Sequence, residues 1–188
     1  IARHALSLPF QCRFLYRLVD FTKARQIVEL GTSLGISSAY LAIGSPTSRV
    51  DTVEGDPEVA NVAQKIFDQL RLDNIHLHNM TFDSFIAKGL TADRRIDLLF
   101  LDGHHTSAAL WKYYHALKPY MSDQTIIMVD DIYWSADMTD GWKKITALPE
   151  VTQSVDCFHF GLLFFKKDFL NRENHCIRLP LMGLLRGG

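Results

Sequence analysis

The stretch Ile27-Val-Glu-Leu-Gly-Thr-Ser-Leu-Gly-Ile-Ser-Ser38 decides how this chain reads. An apolar run carries the acid Glu29 near its end, and Gly31 and Gly35 bracket a turn that enters a helix-like segment. Glycine has no Cβ to block close approach or positive φ, so a strand stopping at Leu30 and turning on Gly31 can bring bare backbone against a ligand. Gly35 can do the same where the helix starts. The segment has the form of a nucleotide-binding corner. Its Gly-x-x-x-Gly spacing is not the Gly-x-Gly-x-x-Gly of dinucleotide folds, and no Lys-Ser/Thr pair follows as in a phosphate loop, which implies a ligand without a pyrophosphate.

Working outward, Arg49-Val-Asp-Thr-Val-Glu54 reads as a second strand ending in a carboxylate. In a doubly wound sheet it lies beside the first, where an acid can accept hydrogen bonds from ribose hydroxyls. Strands are expected near 25–30, 49–54, 74–78, 96–101 and 124–129, and helices near 36–43, 57–71, 83–88, 106–118 and 137–147. Such alternation implies right-handed crossovers and a parallel sheet covered on both faces. Before it, Phe10, Phe14, Leu15, Leu18 and Val19 fall at helical spacing after Pro9, giving an N-terminal helical segment within residues 1–24 ahead of a core over 25–170. Helix 57–71 has Pro57 in its first turn and Val59, Val62, Ala63, Ile66, Phe67 and Leu70 along one face. After Pro149 the pattern changes, and 151–155 with 158–165 read as an antiparallel hairpin closing the sheet edge. The tail from Leu179 to Gly188 reads as a frayed end, and no repeat or linker calls for a second domain.

The segments Val28-Glu-Leu-Gly-Thr-Ser-Leu-Gly-Ile-Ser37, Val53-Glu-Gly-Asp-Pro57, Asp97-Leu-Leu-Phe-Leu-Asp-Gly-His-His105 and Ile126-Ile-Met-Val-Asp-Asp131 stand in order, each at an expected strand end. Together they resemble class I S-adenosylmethionine-dependent methyltransferases, and among these the small O-methyltransferases of the catechol type, over roughly residues 25 to 165. The resemblance implies a Rossmann-like α/β fold, a mostly parallel seven-stranded sheet with a reversed strand at its C-terminal end. It implies S-adenosylmethionine held by Glu29, Gly31, Thr32, Ser33, Gly35 and Ser37 at the first turn and by Glu54 and Gly55 at the second. Thr81 and Phe82 would border the adenine, and Asp102 and His104 would complete the cofactor set. It also implies Mg²⁺ on Asp102, Asp130 and Asp131, although the catechol type carries Asn where Asp131 stands. His105 falls, by count, where that family has a general-base Lys, so His105 and Asp102 are the expected catalytic pair.

Several of these residues have a second, structural reading. Glu29 could cap the next helix, and Phe82, Tyr133, Trp134 and Trp142 could be core as readily as cofactor or acceptor wall. Carboxylates ending adjacent strands, about 4.8 Å apart, can reach one ion. Three oxygen donors favour Mg²⁺, Mn²⁺ or Ca²⁺ over Zn²⁺, yet the same acids could cap turns. An imidazole with an ordinary pKa near 6.5 suits His105 to proton removal at neutral pH. His76 and His78 share one side of a strand without a third ligand and read as structural.

At 188 residues, 47% hydrophobic and 22% charged, the chain matches an ordinary globular domain. A net charge of −1 with no basic stripe argues against nucleic acid, and no apolar run reaches the roughly 18 residues of a membrane span. Cys12, Cys157 and Cys176 are odd in number and widely spaced, which fits a reducing, cytoplasmic setting and neither a disulfide framework nor a zinc site. The first residue is Ile1 rather than Met, so the start says nothing about targeting. The expected partner is a small-molecule methyl acceptor, with a homodimer left open. The rival functions are a cofactor-binding module without catalysis and a spermidine-synthase-like aminopropyl transferase, the latter weakened by the lack of an acidic pair placed for a polyamine.

Overall fold

The structure, a computed structural model, describes residues 8–91, 94–168 and 171–177. The tail expected to fray lies outside the described residues. The chain runs α1 (Pro9–Thr22), β1 (Gln26–Leu30), α2 (Ile36–Gly44), β2 (Arg49–Glu54), α3 (Pro57–Leu70), β3 (Ile75–Asn79), α4 (Phe82–Lys88) and β4 (Ile96–Leu101). It continues through α5 (Ser107–Leu117), a 3₁₀ turn (Lys118–Tyr120), β5 (Met121–Asp130), α6 (Ala136–Thr146), β6 (Gln153–Asp156), β7 (Phe160–Phe164) and β8 (Glu173–Cys176). One sheet takes all the strands in the order β3-β2-β1-β4-β5-β7-β6-β8. The first five are parallel, β7 is antiparallel to both β5 and β6, and β8 lies parallel to β6.

Two apolar layers sandwich this sheet. Leu15 and Val19 of α1 and Leu41 of α2 pack with Ile27, Leu98, Phe100 and Met128 on one face. Phe85 of α4, Tyr114 of α5 and Ile145 of α6 pack with Val28, Leu99 and Ile127 on the other. The central strands are buried on both faces and read as near-continuous apolar runs, the signature of a covered parallel sheet. Because β2 and β3 follow β1 to one side while β5 follows β4 to the other, the chain diverges between β1 and β4. A crevice opens there at the carboxyl ends of the strands.

Two expectations need correction, and one reading left open is decided. The sheet has eight strands rather than seven, because β8 adds to β6 and becomes the edge beyond the β6–β7 hairpin. All four β8 residues are exposed, so no alternation of burial marked the strand in sequence. Helix α3 is rotated from the face its larger apolar residues suggest: Ala60, Ala63 and Phe67 are buried, whereas Val62 and Leu70 are exposed. Small residues let α3 sit close to the sheet, and Phe67 fills the space beside Gly35, where a Cβ would come within 2.5 Å of its ring. Trp142 is core, covered by β7 at Gly161, and forms no acceptor wall.

Candidate functional site

The expected residues gather where β1, β2, β4 and β5 end. Gly31 adopts φ +114°, and a Cβ there would collide with the carbonyl oxygen of Asp102, so no other residue fits the turn. The turn is pinned to β2 by the Gly31 and Thr32 N–H groups, each donating to the Val53 carbonyl at 3.1 Å. Gly35, at φ +80°, forms the N-cap position of α2. Under the turn lies a sealed polar cluster. Glu29 is fully buried and accepts from the Ser38 hydroxyl and from Thr52 Oγ1 (2.6 Å), while Thr32 and Thr52 share a hydroxyl hydrogen bond of 2.6 Å. Burial pushes the Glu29 carboxyl up from its ordinary value, against the Ser37, Ser38 and Thr52 hydroxyls, and among the described residues its Oε1 has no hydrogen-bond partner.

Glu54 ends β2 half-buried, with Oε2 accepting from Ser33 N–H at 3.0 Å and Oε1 from Asp56 N–H at 2.9 Å. A carboxylate has about four lone-pair sites, so both oxygens keep acceptor capacity toward the crevice. Gly55 is open, and a Cβ there would meet nothing within 4 Å, so sterics do not require glycine. Asp56 caps α3 by accepting from Glu58 N–H (2.8 Å) and Val59 N–H (3.2 Å), with Pro57 in the first turn as expected. Thr81 is the cap of α4, accepting from Ser84 N–H at 3.2 Å. The Phe82 ring packs against His104 (5.2 Å) and Tyr113 (5.4 Å) and lies over Gly103. His104 has φ 63° and places Nδ1 3.3 Å from the Tyr113 hydroxyl. Leu30, Phe82, Gly103, His105, Tyr113 and Met138 are among the residues that line an opening here.

Asp102 and Asp130 end the adjacent strands β4 and β5 within hydrogen-bonding reach of each other. Burial, reinforced by the charges of Asp130, Glu29 and Asp131, holds the Asp102 carboxyl well above the usual carboxylate range. Burial and Asp131 raise Asp130 to about 7. His105 sets Nε2 3.8 Å from Asp102 Oδ1 and its ring 5.9 Å from Trp134. Burial lowers its pKa, partly offset by Asp131, so the imidazole is neutral at neutral pH. The metal expectation does not fit this geometry. Among the described residues, no three His, Cys, Asp or Glu side chains converge on a point an ion could occupy. Asp131 turns through φ 52° to donate its N–H to the His159 carbonyl (2.8 Å), and Asp130 is engaged by Gln11.

Gln11 was missed by the motif reading. It is buried with Cys12, Leu15 and Val19, and its amide Nε2 donates to Asp130 Oδ1 at 2.6 Å. The available signal was a polar residue in the apolar stripe 11, 15, 19. Ser38, Thr52 and Tyr113 were also unforeseen, being ordinary helix and strand residues until the fold brings them together. Tyr133 and Trp134 are exposed beside the acids, with the Tyr133 hydroxyl donating to Asp156. His78 Nε2 lies 2.8 Å from Asp51 Oδ1 and His76 Nε2 lies 3.0 Å from Arg49, a structural role as expected.

A family model described as a methyltransferase domain matches residues 28–132, which include the glycine turn and all four strand-end acids. A catechol O-methyltransferase from Niastella koreensis is 42% identical over 65 residues, 34% of this chain and 29% of that protein. A protein-L-isoaspartate O-methyltransferase from Methanocella arvoryzae is 31% identical over 71 residues, 37% of this chain and 38% of its own length. The chain thus aligns with only about a third of either curated relative. Among solved structures, the O-methyltransferase from Bacillus cereus in complex with S-adenosylhomocysteine superposes with a TM-score of 0.72 at 22% identity, over 86% of this chain and 83% of that one. The O-methyltransferase TomG from Streptomyces achromogenes, solved with S-adenosylmethionine, superposes at 0.72 and 19% identity over 86% and 82%. Likeness at these identities establishes the fold.

Proposed function

Because this chain belongs to the methyltransferase domain family, we propose that it transfers the methyl group of S-adenosylmethionine to an oxygen of a small-molecule acceptor. The observation that carries the reading is the Gly31 turn: a glycine-only corner at the carboxyl end of β1, packed against the Asp102 backbone and flanked by Glu54 with acceptor capacity to spare. The residues present fit the cofactor. The turn suits the methionine end, and the buried Glu29 with the Ser38 and Thr52 hydroxyls supports it from beneath. Glu54 suits a ribose diol, and the Phe82, His104 and Tyr113 rings suit an adenine.

When bound, S-adenosylmethionine supplies a methyl group on a sulfonium, which is already activated for displacement. The protein's part is then alignment in a site with little water, the main source of rate in such transfers. His105, neutral and half-buried, would take the acceptor's proton, and the charge of Asp131 nearby favours the imidazolium that results. The matching stretch of catechol O-methyltransferase supports an oxygen acceptor. Three cysteines, odd in number and widely spaced in the chain, support a reducing setting such as the cytoplasm. Among the described residues, no helix is long and apolar enough to cross a membrane.

Calorimetric titration with S-adenosylhomocysteine tests the reading. Saturable binding in the parent, lost in Glu54→Ala, is the expected result, together with a raised thermal midpoint at a ligand excess of about a hundredfold over Kd, worth ~2.7 kcal/mol. Equal affinity in parent and variant would remove Glu54 from the cofactor site.

A further inference from the structure

We infer that Gln11 is a positioning residue of the methyl-transfer site, an inference that rests on the function proposed above. It holds the Asp130 carboxylate against Asp102 and ties the first turn of α1 to the cofactor turn. Gln11 lies outside the matched stretch 28–132 and is only 3% exposed, so its amide must find both partners inside the protein. Its orientation is decided by chemistry. The Leu8 N–H, 2.7 Å from Oε1, can only donate, so the amide NH₂ must face Asp130 Oδ1 at 2.6 Å. The opposite flip would set two donors against each other and the amide oxygen against a carboxylate.

The Gln11 bond uses one of the roughly four lone-pair sites of the carboxylate, so Asp130 keeps acceptor capacity for Asp102. From Asp102 the path is short: its N–H donates to the Leu30 carbonyl at 3.0 Å, and its own carbonyl fills the space a Cβ on Gly31 would need. A second attachment runs in parallel. The Phe10 ring meets the His159 ring at 5.2 Å, and the His159 carbonyl accepts the Asp131 N–H at 2.8 Å. The turn Leu8–Gln11 is therefore fastened to both acids ending β5. Capping the Leu8 N–H needs only the amide oxygen, whereas the NH₂ group serves Asp130. An amide is a neutral donor, able to orient Asp130 without adding charge to a group of acids.

The test is a double-mutant cycle read by S-adenosylhomocysteine affinity in the full chain. Gln11→Glu keeps the length, loses the donor and adds a carboxylate, and should weaken binding at least about fivefold, the low end of ordinary site coupling. Gln11→Met, which suits the apolar stripe and keeps the fold, should also weaken it. Asp130→Asn combined with Gln11→Glu restores one donor and one acceptor in the reverse sense at the parent's net charge. The pair should bind more tightly than the two single variants predict when added. Leu15→Ala, a buried α1 residue away from the acids, supplies the control: it should lower the thermal midpoint without the affinity loss. Additive effects in the cycle, unchanged affinity in Gln11→Met, or an equal loss in Leu15→Ala at matched midpoint would each overturn the inference and leave the proposed function standing. A parent chain that binds no S-adenosylhomocysteine would overturn both.

Discussion

Glu29 is sealed beneath the glycine turn with one oxygen unpartnered among the described residues, and this makes it a residue on which stability and binding pull apart. Its carboxyl titrates above its ordinary range because burial penalises the charge. The fold therefore favours the protonated form, and stability is lost as pH rises from the unfolded value, about 4.3, through the raised one. Glu29→Gln removes that charge and should raise the midpoint measured at pH 8, while weakening S-adenosylhomocysteine about tenfold, or ~1.4 kcal/mol. A variant that loses both stability and affinity would mark Glu29 as structural. His105 makes the complementary case. Once an acceptor is found, His105→Ala should lower kcat by about 10²–10⁴ with cofactor affinity intact, and full turnover would remove it from proton transfer. The strand-end acids do not converge on an ion position. The thermal midpoint is therefore expected to be the same in Mg²⁺ and in EDTA, and a shift of several degrees would show that the carboxylates rearrange around an ion.

At the scale of elements, β1, β2 and β3 are joined away from the crevice by a half-buried network around the buried Asp51. Arg49 Nε and Nη2 bind Asp51 at 2.8 Å, and His78 Nε2 and Gln26 Nε2 each approach it at 2.8 Å. Burial would raise the Asp51 carboxyl, but the hydrogen bonds from His78, Arg49 and Gln26 outweigh it and hold it well below the carboxylate range. The stabilisation is thus complete above the unfolded Asp value, about 3.9, and disappears as pH falls through the depressed folded value. In an acid titration followed by circular dichroism, Asp51→Asn should be less stable near neutrality but lose less on acidification. Parallel curves would exclude Asp51 as the linked group. This network also shows what sequence could and could not tell. The β1 and β2 runs, the glycine turn and the strand-end acids were legible because each is a local pattern of a few residues. The bonds among Gln26, Arg49, Asp51 and His78 join three strands, as Gln11 and Asp130 join a helix to a strand 119 residues later, and no local period records them. The packing face of α3 escaped for another reason: close approach selected Ala60 and Ala63, while apolarity alone pointed to Val62 and Leu70.

At the scale of the whole molecule, the two sides of the sheet are built differently. β1 to β5 are laid down in chain order outward from the centre, each parallel to its neighbour. The other side is out of order, because β7 inserts between β5 and β6. A chain ended after Glu150 keeps the glycine turn, Glu54 and the strand-end acids but leaves the β5 edge, from Ile126 to Asp130, without its β7 partner. It should aggregate on size-exclusion chromatography although every expected cofactor contact is present, and a soluble monomer that binds S-adenosylhomocysteine would contradict this. The same insertion has a consequence during synthesis. Ribosomes deliver chain at about 5–20 residues per second, so β5 waits on the order of seconds, apolar and bare along one side, until Phe160–Phe164 emerges. For that interval the nascent chain is a sheet with an open seam, and whatever keeps the seam apart from other growing chains, haste or a chaperone, governs how much finished protein the cell obtains.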